Sequence, residues 1–228
     1  MNRAETPLAE IYHRLLHAYG PQGWWPADSR FEMIAGAILT QAAAWRNVER
    51  ALDNLRSAGI EDWPAVHALA LDKLAELVRP SGYYNAKARK LKAFAAHVCD
   101  DYGGDLDLMF AADTRTVRRE LLGIYGIGPE TADDILVYAA GKASFVIDAY
   151  TVRILKRVGL EPIGRDNYDG WQATFHAGIP EDVQVYNEFH ALLDRHHKEA
   201  CTKNNPRCGG CCLQEICATG RVYAVQCD

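Results

Sequence analysis

The sequence predicts an all-α protein, on three observations. Apolar residues recur at helical spacing along most of the chain, no segment alternates in the manner of a half-buried strand, and glycine- or proline-containing breaks cut the chain at intervals of helix length. With 228 residues, 49% hydrophobic and 24% charged, the chain has the composition of a globular protein. It is long enough for one large or two small domains with a dry core, without disulfide staples.

The elements follow in order. Leu8, Ile11, Tyr12 and Leu15 mark a first helix, closed by Gly20-Pro21; Phe31, Ile34, Ala35, Ile38 and Leu39 mark a second. Leu91, Phe94, Ala95 and Val98 form a stripe after the break at Arg79-Pro80-Ser81-Gly82, and Ile135, Leu136 and Ala139 another after Gly126-Ile127-Gly128-Pro129. Further breaks at Tyr102-Gly103-Gly104-Asp105 and Gly178-Ile179-Pro180 give about ten helices in all. The longest apolar stretches, such as Met33 to Leu39, are far shorter than a membrane span, and the N-terminus has no signal-like apolar region, so a cytoplasmic protein without a membrane partner is expected.

A net charge of −5 argues on average against a phosphate-binding surface. Local runs break the average. Lys87, Arg89, Lys90 and Lys92 form one basic cluster and Arg153, Lys156 and Arg157 a second, each readable as a solvated helix face or as a phosphate-binding one.

Five of the seven cysteines crowd between 201 and 217. Cys201, Cys208, Cys211 and Cys217 have the spacing C-x6-C-x2-C-x5-C, which suits a structural zinc or an iron–sulfur cubane, with Cys212 as a neighbour. This segment is too poor in apolar residues to order itself without ligation. Cys99 reads as a core thiol and Cys227 as a tail thiol.

Two other segments point to chemistry. Around Gly126-Ile127-Gly128-Pro129 a helix ends, turns and restarts; the glycines permit a tight hairpin, and backbone N–H groups at a helix start can grip a phosphate without a cation. Asp148 stands where the next helix should begin, as a helix cap or as a placed carboxylate.

Together and in this order, the hairpin, the downstream Asp148, the cysteine tail and the stretch Gly82-Tyr83-Tyr84-Asn85-Ala86-Lys87-Ala88 resemble the endonuclease III family of DNA glycosylases over essentially the whole chain. The resemblance implies two helical domains flanking a DNA-binding cleft: residues 27–140 as a helical barrel carrying the helix-hairpin-helix, and 1–26 with 141–228 as a second domain bearing a cluster loop at 201–217. It further implies a [4Fe-4S] cluster on the four cysteines, double-stranded DNA with a damaged base as partner, and a monomer. Bifunctional members carry a lysine two residues after the second hairpin glycine, and its amine attacks the sugar. Here that residue is Glu130, which cannot form an imine.

A monofunctional glycosylase is therefore expected, with Asp148 stabilising the sugar cation and orienting water, and Glu130 adding negative potential or capping the helix. Trp24, Trp25, Pro26 and Trp45 look like the base pocket of the 3-methyladenine glycosylase branch, which favours an alkylated or deaminated purine; the alternative is that Trp24 and Trp25 are core residues. Gln41 is the candidate to fill the vacated base position, and Lys87, Lys90, Gly126, Gly128, Lys203 and Arg207 the candidates for backbone contacts. The alternatives are a glycosylase/lyase for damaged pyrimidines using another lysine, and a non-catalytic module that binds damaged DNA.

Overall fold

The computed structural model describes residues 6–25 and 27–225. Among them are thirteen α-helices and no strand: α1 (Pro7–Tyr19), α2 (Arg30–Leu39), α3 (Trp45–Ser57), α4 (Trp63–Ala68), α5 (Leu71–Leu77), α6 (Tyr84–Tyr102), α7 (Leu106–Met109), α8 (Thr114–Gly123), α9 (Pro129–Asp134), α10 (Ala149–Val158), α11 (Tyr168–Gly178), α12 (Val183–Glu199) and α13 (Ala218–Val225). A 3₁₀ turn (Arg79–Ser81) precedes α6, and α9 continues as a π-helical turn (Ile135–Ala139). None of the described helices is long and apolar enough to cross a membrane.

Eight of the described helices start at a side-chain cap. Thr6, Ser29, Asp62, Asp105, Asp113, Asp148, Asn167 and Asp182 each stand at an N-cap and accept a hydrogen bond from the backbone of the first turn. Pro7, Pro64 and Pro129 sit in first turns, where a missing N–H costs nothing.

The described residues divide into two compact units, one from 27–142 and one from 6–25 with 143–225. The first is built around α2, in which every residue from Met33 to Leu39 is buried, with α3, α6 and the α9 extension packed against it. Trp63 links two of its aromatic neighbours, 5.0 Å from Phe31 and 4.5 Å from Phe94 between ring centres.

The second unit packs α1 and α10 against α12, around Phe145, Phe175, Tyr186 and Phe189. Phe145 and Phe175 stack with ring centres 3.6 Å apart. Phe145 lies in an extended stretch, residues 144–148, that is buried without belonging to a sheet. Buried backbone groups need partners, and α11 supplies them: the N–H of Phe145 donates to His176 Nε2 (3.1 Å), its carbonyl accepts from Gln172 Nε2 (2.8 Å), and the N–H of Ile147 donates to the Tyr168 hydroxyl (3.3 Å). This stretch delivers Asp148 to the start of α10.

Candidate functional site

In the 27–142 unit, the turn between α8 and α9 is the hairpin that the sequence predicts. Gly126 has φ +85°, and a Cβ there would lie 2.3 Å from Cγ of Lys90, so the position excludes a side chain on two counts. Gly128 has φ −94° and forms the N-cap of α9; what it contributes is an open backbone, with nothing near a hypothetical Cβ. Glu130 is exposed in the first turn of α9.

Gln41 is turned into this hairpin. Its Nε2 donates to the Gly126 carbonyl (3.1 Å) and to Thr131 Oγ1 (2.9 Å), and its Oε1 accepts from Lys90 Nζ. Both donors and the acceptor are engaged, so Gln41 ties the loop after α2 to the hairpin and is not the free amide expected to fill a vacated base position. The same bond keeps Lys90 half-buried beneath Gly126.

Lys87 also departs from expectation. It is 2% exposed, and its Nζ donates to the carbonyls of Leu39 (2.8 Å) and Ser81 (2.6 Å). Burial, with the charge of Lys90 adding to it, pushes this ammonium down to about 8. Lys87 is not a phosphate contact, because its charge is spent at the C-terminal end of α2, where unpaired carbonyls favour a cation. Lys92 caps α4 in the same way, donating to the carbonyls of Val66 (3.3 Å), Leu69 (3.0 Å) and His67.

The bonds of Lys87 hold two loops together, and each carries a residue in the left-handed region: Ala42 at φ 53° and Tyr83 at φ 45°. Both are exposed, Tyr83 by 76%. A large aromatic held out in solvent on a disfavoured backbone is the kind of strain that marks functional surfaces. Tyr83 belongs to the stretch Gly82-Tyr83-Tyr84-Asn85-Ala86-Lys87-Ala88, but its exposure has no signal in the sequence. Trp45 opens α3 and is half-buried.

In the other unit Asp148 is the N-cap of α10 and is almost fully buried. It is 7% exposed; Oδ1 accepts from the Thr151 N–H (2.7 Å), and Oδ2 lies 2.9 Å from His190 Nε2. His190 is 4% exposed. The hydroxyl of Tyr150 is 3.3 Å from the same nitrogen, and the Tyr150 ring stacks on His197 at 4.3 Å. His197 Nε2 is 3.5 Å from Asp194 Oδ1, Lys198 donates to Asp194 Oδ2 (2.6 Å), and Lys198 Nζ lies 5.7 Å from the centre of the Trp24 ring. His190, Asp194, His197 and Lys198 occupy one face of α12 at steps of four, three and one residues. That spacing was visible in the sequence, but its link to Asp148 spans 42 residues.

Trp24 and Trp25 are half-buried and meet edge to face, ring centres 5.5 Å apart. Pro26 lies outside the described residues, as does Cys227, and Cys99 is half-buried on α6.

Cys201, Cys208, Cys211 and Cys217 line one small pocket, walled by Ile154, Val158 and Leu213. The loop is stitched to α10: Arg157 donates to the carbonyls of Thr202 (2.7 Å) and Lys203 (2.8 Å) and to Cys201 Sγ (3.3 Å), and Arg153 to the carbonyl of Cys201. Burial pushes the Cys208 thiol up, and the proximity of Cys217, Cys211 and Cys201 pushes it further. Four thiolates this close repel one another unless a cationic centre lies among them, so the donor set fits a metal or cluster.

Cys212 is not in the wall of that pocket. It faces Tyr19, and its thiol is pulled down to about 7, first by the hydrogen bond from Cys211. His196, Cys211 and Cys212 also bring ligand atoms within 4.8 Å of one another, with the Tyr19 hydroxyl 2.9 Å from His196 Nδ1. Lys203 and Arg207 are exposed on the loop, Arg207 leaning toward the Glu199 carbonyl at 3.4 Å.

Comparison with known proteins agrees with this arrangement. Residues 35–169 match the family described as HhH-GPD superfamily base excision DNA repair protein. A protein of Methanocaldococcus jannaschii, provisionally named a DNA repair glycosylase, is 42% identical over 92% of this chain and 95% of its own. The 3-methyladenine DNA glycosylase MagIII of H. pylori, solved with 1,N6-ethenoadenine, superposes with a TM-score of 0.70 at 31% identity, over 83% of this chain and 96% of its own. An endonuclease III–DNA complex shares the fold, with a TM-score of 0.79 at 20% identity over 95% and 96% of the two chains. The hairpin, the capped carboxylate and the cysteine-lined loop thus occur on a fold shared with DNA repair enzymes, and the chain belongs to the HhH-GPD superfamily of base excision DNA repair proteins, a family of DNA glycosylases.

Proposed function

We propose that this chain is a monofunctional DNA glycosylase that hydrolyses the N-glycosidic bond of a damaged purine. The observation that carries the reading is Asp148, a nearly buried carboxylate with each oxygen on a different donor. As the C1′–N bond breaks, its electron pair leaves with the base and positive charge grows on the sugar. A fixed anion stabilises that charge without reorganising. Water then bonds to C1′ and gives up a proton toward the carboxylate. Glu130 holds the sequence position at which bifunctional members carry their lysine, which supports water as the nucleophile.

Purine selectivity, for an alkylated, etheno-modified or deaminated base, rests on the 31% identity to a 3-methyladenine glycosylase and on the Trp24–Trp25 pair. The amides of Gly126 and Gly128 and the exposed Lys203 and Arg207 are assigned to the DNA backbone. Tyr83 replaces Gln41 as the side chain offered to the base stack, because it is exposed and Gln41 is engaged. Cys201, Cys208, Cys211 and Cys217 would hold a [4Fe-4S] cluster, whose contribution here is to fix the loop carrying Lys203 and Arg207.

The test is single-turnover base release from duplexes carrying alkylated or etheno purines, deaminated bases or oxidised pyrimidines, each time point divided between neutral and hot-alkali workup. Strand breaks only after alkali, on a purine substrate, are expected, with no borohydride-trapped adduct. Breaks at neutral pH or a trapped adduct would overturn the monofunctional reading. Asp148→Asn should lose about 10²- to 10³-fold in excision with unchanged affinity for an abasic-site duplex; wild-type turnover would remove Asp148 from the mechanism.

A further inference from the structure

The bond between His190 and Asp148 goes beyond the roles assigned so far. An ionised carboxylate only accepts hydrogen bonds, so a 2.9 Å contact to Nε2 places a proton on that nitrogen. Oδ1 is already fixed by the Thr151 N–H, so His190 decides the plane and direction of the remaining oxygen. Both side chains are almost fully buried, and water does not compete for this bond. We propose that His190 is the positioning residue for Asp148, acting as a neutral Nε2–H donor in the active protein and silencing the carboxylate when it becomes protonated. The proposal rests on the glycosylase reading above.

A neutral imidazole leaves the full negative charge of Asp148 facing the sugar, whereas an imidazolium at 2.9 Å cancels it when positive charge develops at C1′. Asp148, Tyr150 and Phe145 are among the groups that face His190. From α10 come Asp148 and the Tyr150 hydroxyl; from the extended stretch comes the uncharged edge of Phe145, at 6.5 Å between ring centres. Along α12 itself, His197 and Asp194 lie beyond Tyr150 and pair with each other. Among these contacts Asp148 is the anion in direct reach, so the proton on His190 is read chiefly by Asp148.

The experiment compares wild type, His190→Gln, His190→Phe and Asp148→Asn on the panel duplex that releases its base fastest, under single turnover from pH 5.5 to 8.5. Affinity for an abasic-site duplex and thermal midpoints are measured alongside. Wild type should slow toward the acid end of this range as His190 gains its proton. His190→Gln keeps an N–H donor that cannot titrate, and should hold a near wild-type rate at pH 8 while losing the acid decline. His190→Phe fills the space without a donor and should lose roughly 10- to 100-fold at pH 8 with unchanged DNA affinity, the size of one hydrogen bond to a charged group.

An acid decline in His190→Gln that matches wild type would overturn the proposal, as would full activity in His190→Phe. If His190→Phe does not fold, the pH profile of His190→Gln decides alone. Asp148→Asn separates the two levels. Loss of excision there with a wild-type pH profile in His190→Gln refutes the role of His190 only, whereas normal excision in Asp148→Asn refutes the underlying reading.

Discussion

Two basic segments of this chain look alike on paper and end in opposite places. On α6, Lys87, Lys90 and Lys92 point inward, and their ammonium groups finish helix ends or bind Gln41. On the cysteine loop, Lys203 and Arg207 stay exposed while Arg153 and Arg157 behind them take up the loop carbonyls. A positive run is thus a poor guide to a phosphate surface when helix C-termini compete for the same cations. What separates the two cases is whether carbonyls without partners lie within reach of a four-carbon stem.

Three variants sharpen this contrast, from the largest expected effect to the smallest. Lys87→Met leaves the carbonyls of Leu39 and Ser81 without their donor and should destabilise the protein by about 1–3 kcal/mol in urea unfolding. Its effect on stability also carries a pH signature. The ammonium sits at about 8 in the folded chain, below its unfolded value. Between about pH 8 and 10 the unfolded state therefore binds more protons, and Lys87 makes wild-type stability rise with pH by at most about 1.4 kcal/mol per pH unit. Below pH 8 both states hold the proton and the slope vanishes. The difference between wild type and Lys87→Met should show that rise, and the salt dependence of DNA binding should not change.

Arg157→Gln comes next. It removes donors to the carbonyls of Thr202 and Lys203 and to Cys201 Sγ, so the loop should open more readily. Thiol labelling of Cys201 and Cys208 should speed up by roughly tenfold, the equivalent of one hydrogen bond to a charged group, with little change in the unfolding midpoint. Lys203→Gln with Arg207→Gln should leave stability alone and lower the salt slope of DNA binding by about one unit per charge. An unchanged slope would mean that the loop does not touch DNA, and the contrast between the two segments would lose its functional half.

Much of the architecture was legible before any coordinates. Helical spacing and glycine breaks gave the all-α class, because period and punctuation are local properties; the hairpin at Gly126 and the cap at Asp148 were readable for the same reason. The four cysteines were readable because they crowd into one short segment with a ligand-like spacing. What stayed hidden depended on distant partners. Lys87 reaches a carbonyl 48 residues away, Gln41 bonds to Gly126 and Thr131 across 85 and 90 residues, and His190 meets Asp148 across 42. Tyr83 was hidden for a different reason, since its exposure comes from a left-handed backbone that nothing in the stretch Gly82-Tyr83-Tyr84 announces.

The extended stretch before Asp148 has a consequence for how this protein can drift. A strand in a sheet shares its hydrogen bonds with another backbone, which any sequence supplies. Residues 144–148 instead depend on three particular side chains of α11, those of Tyr168, Gln172 and His176. A mutational scan should therefore find a patch of intolerance on α11, set by partners that only a few residue types can replace, while residues 144–147 tolerate side chains that fit their pocket and Asp148 does not.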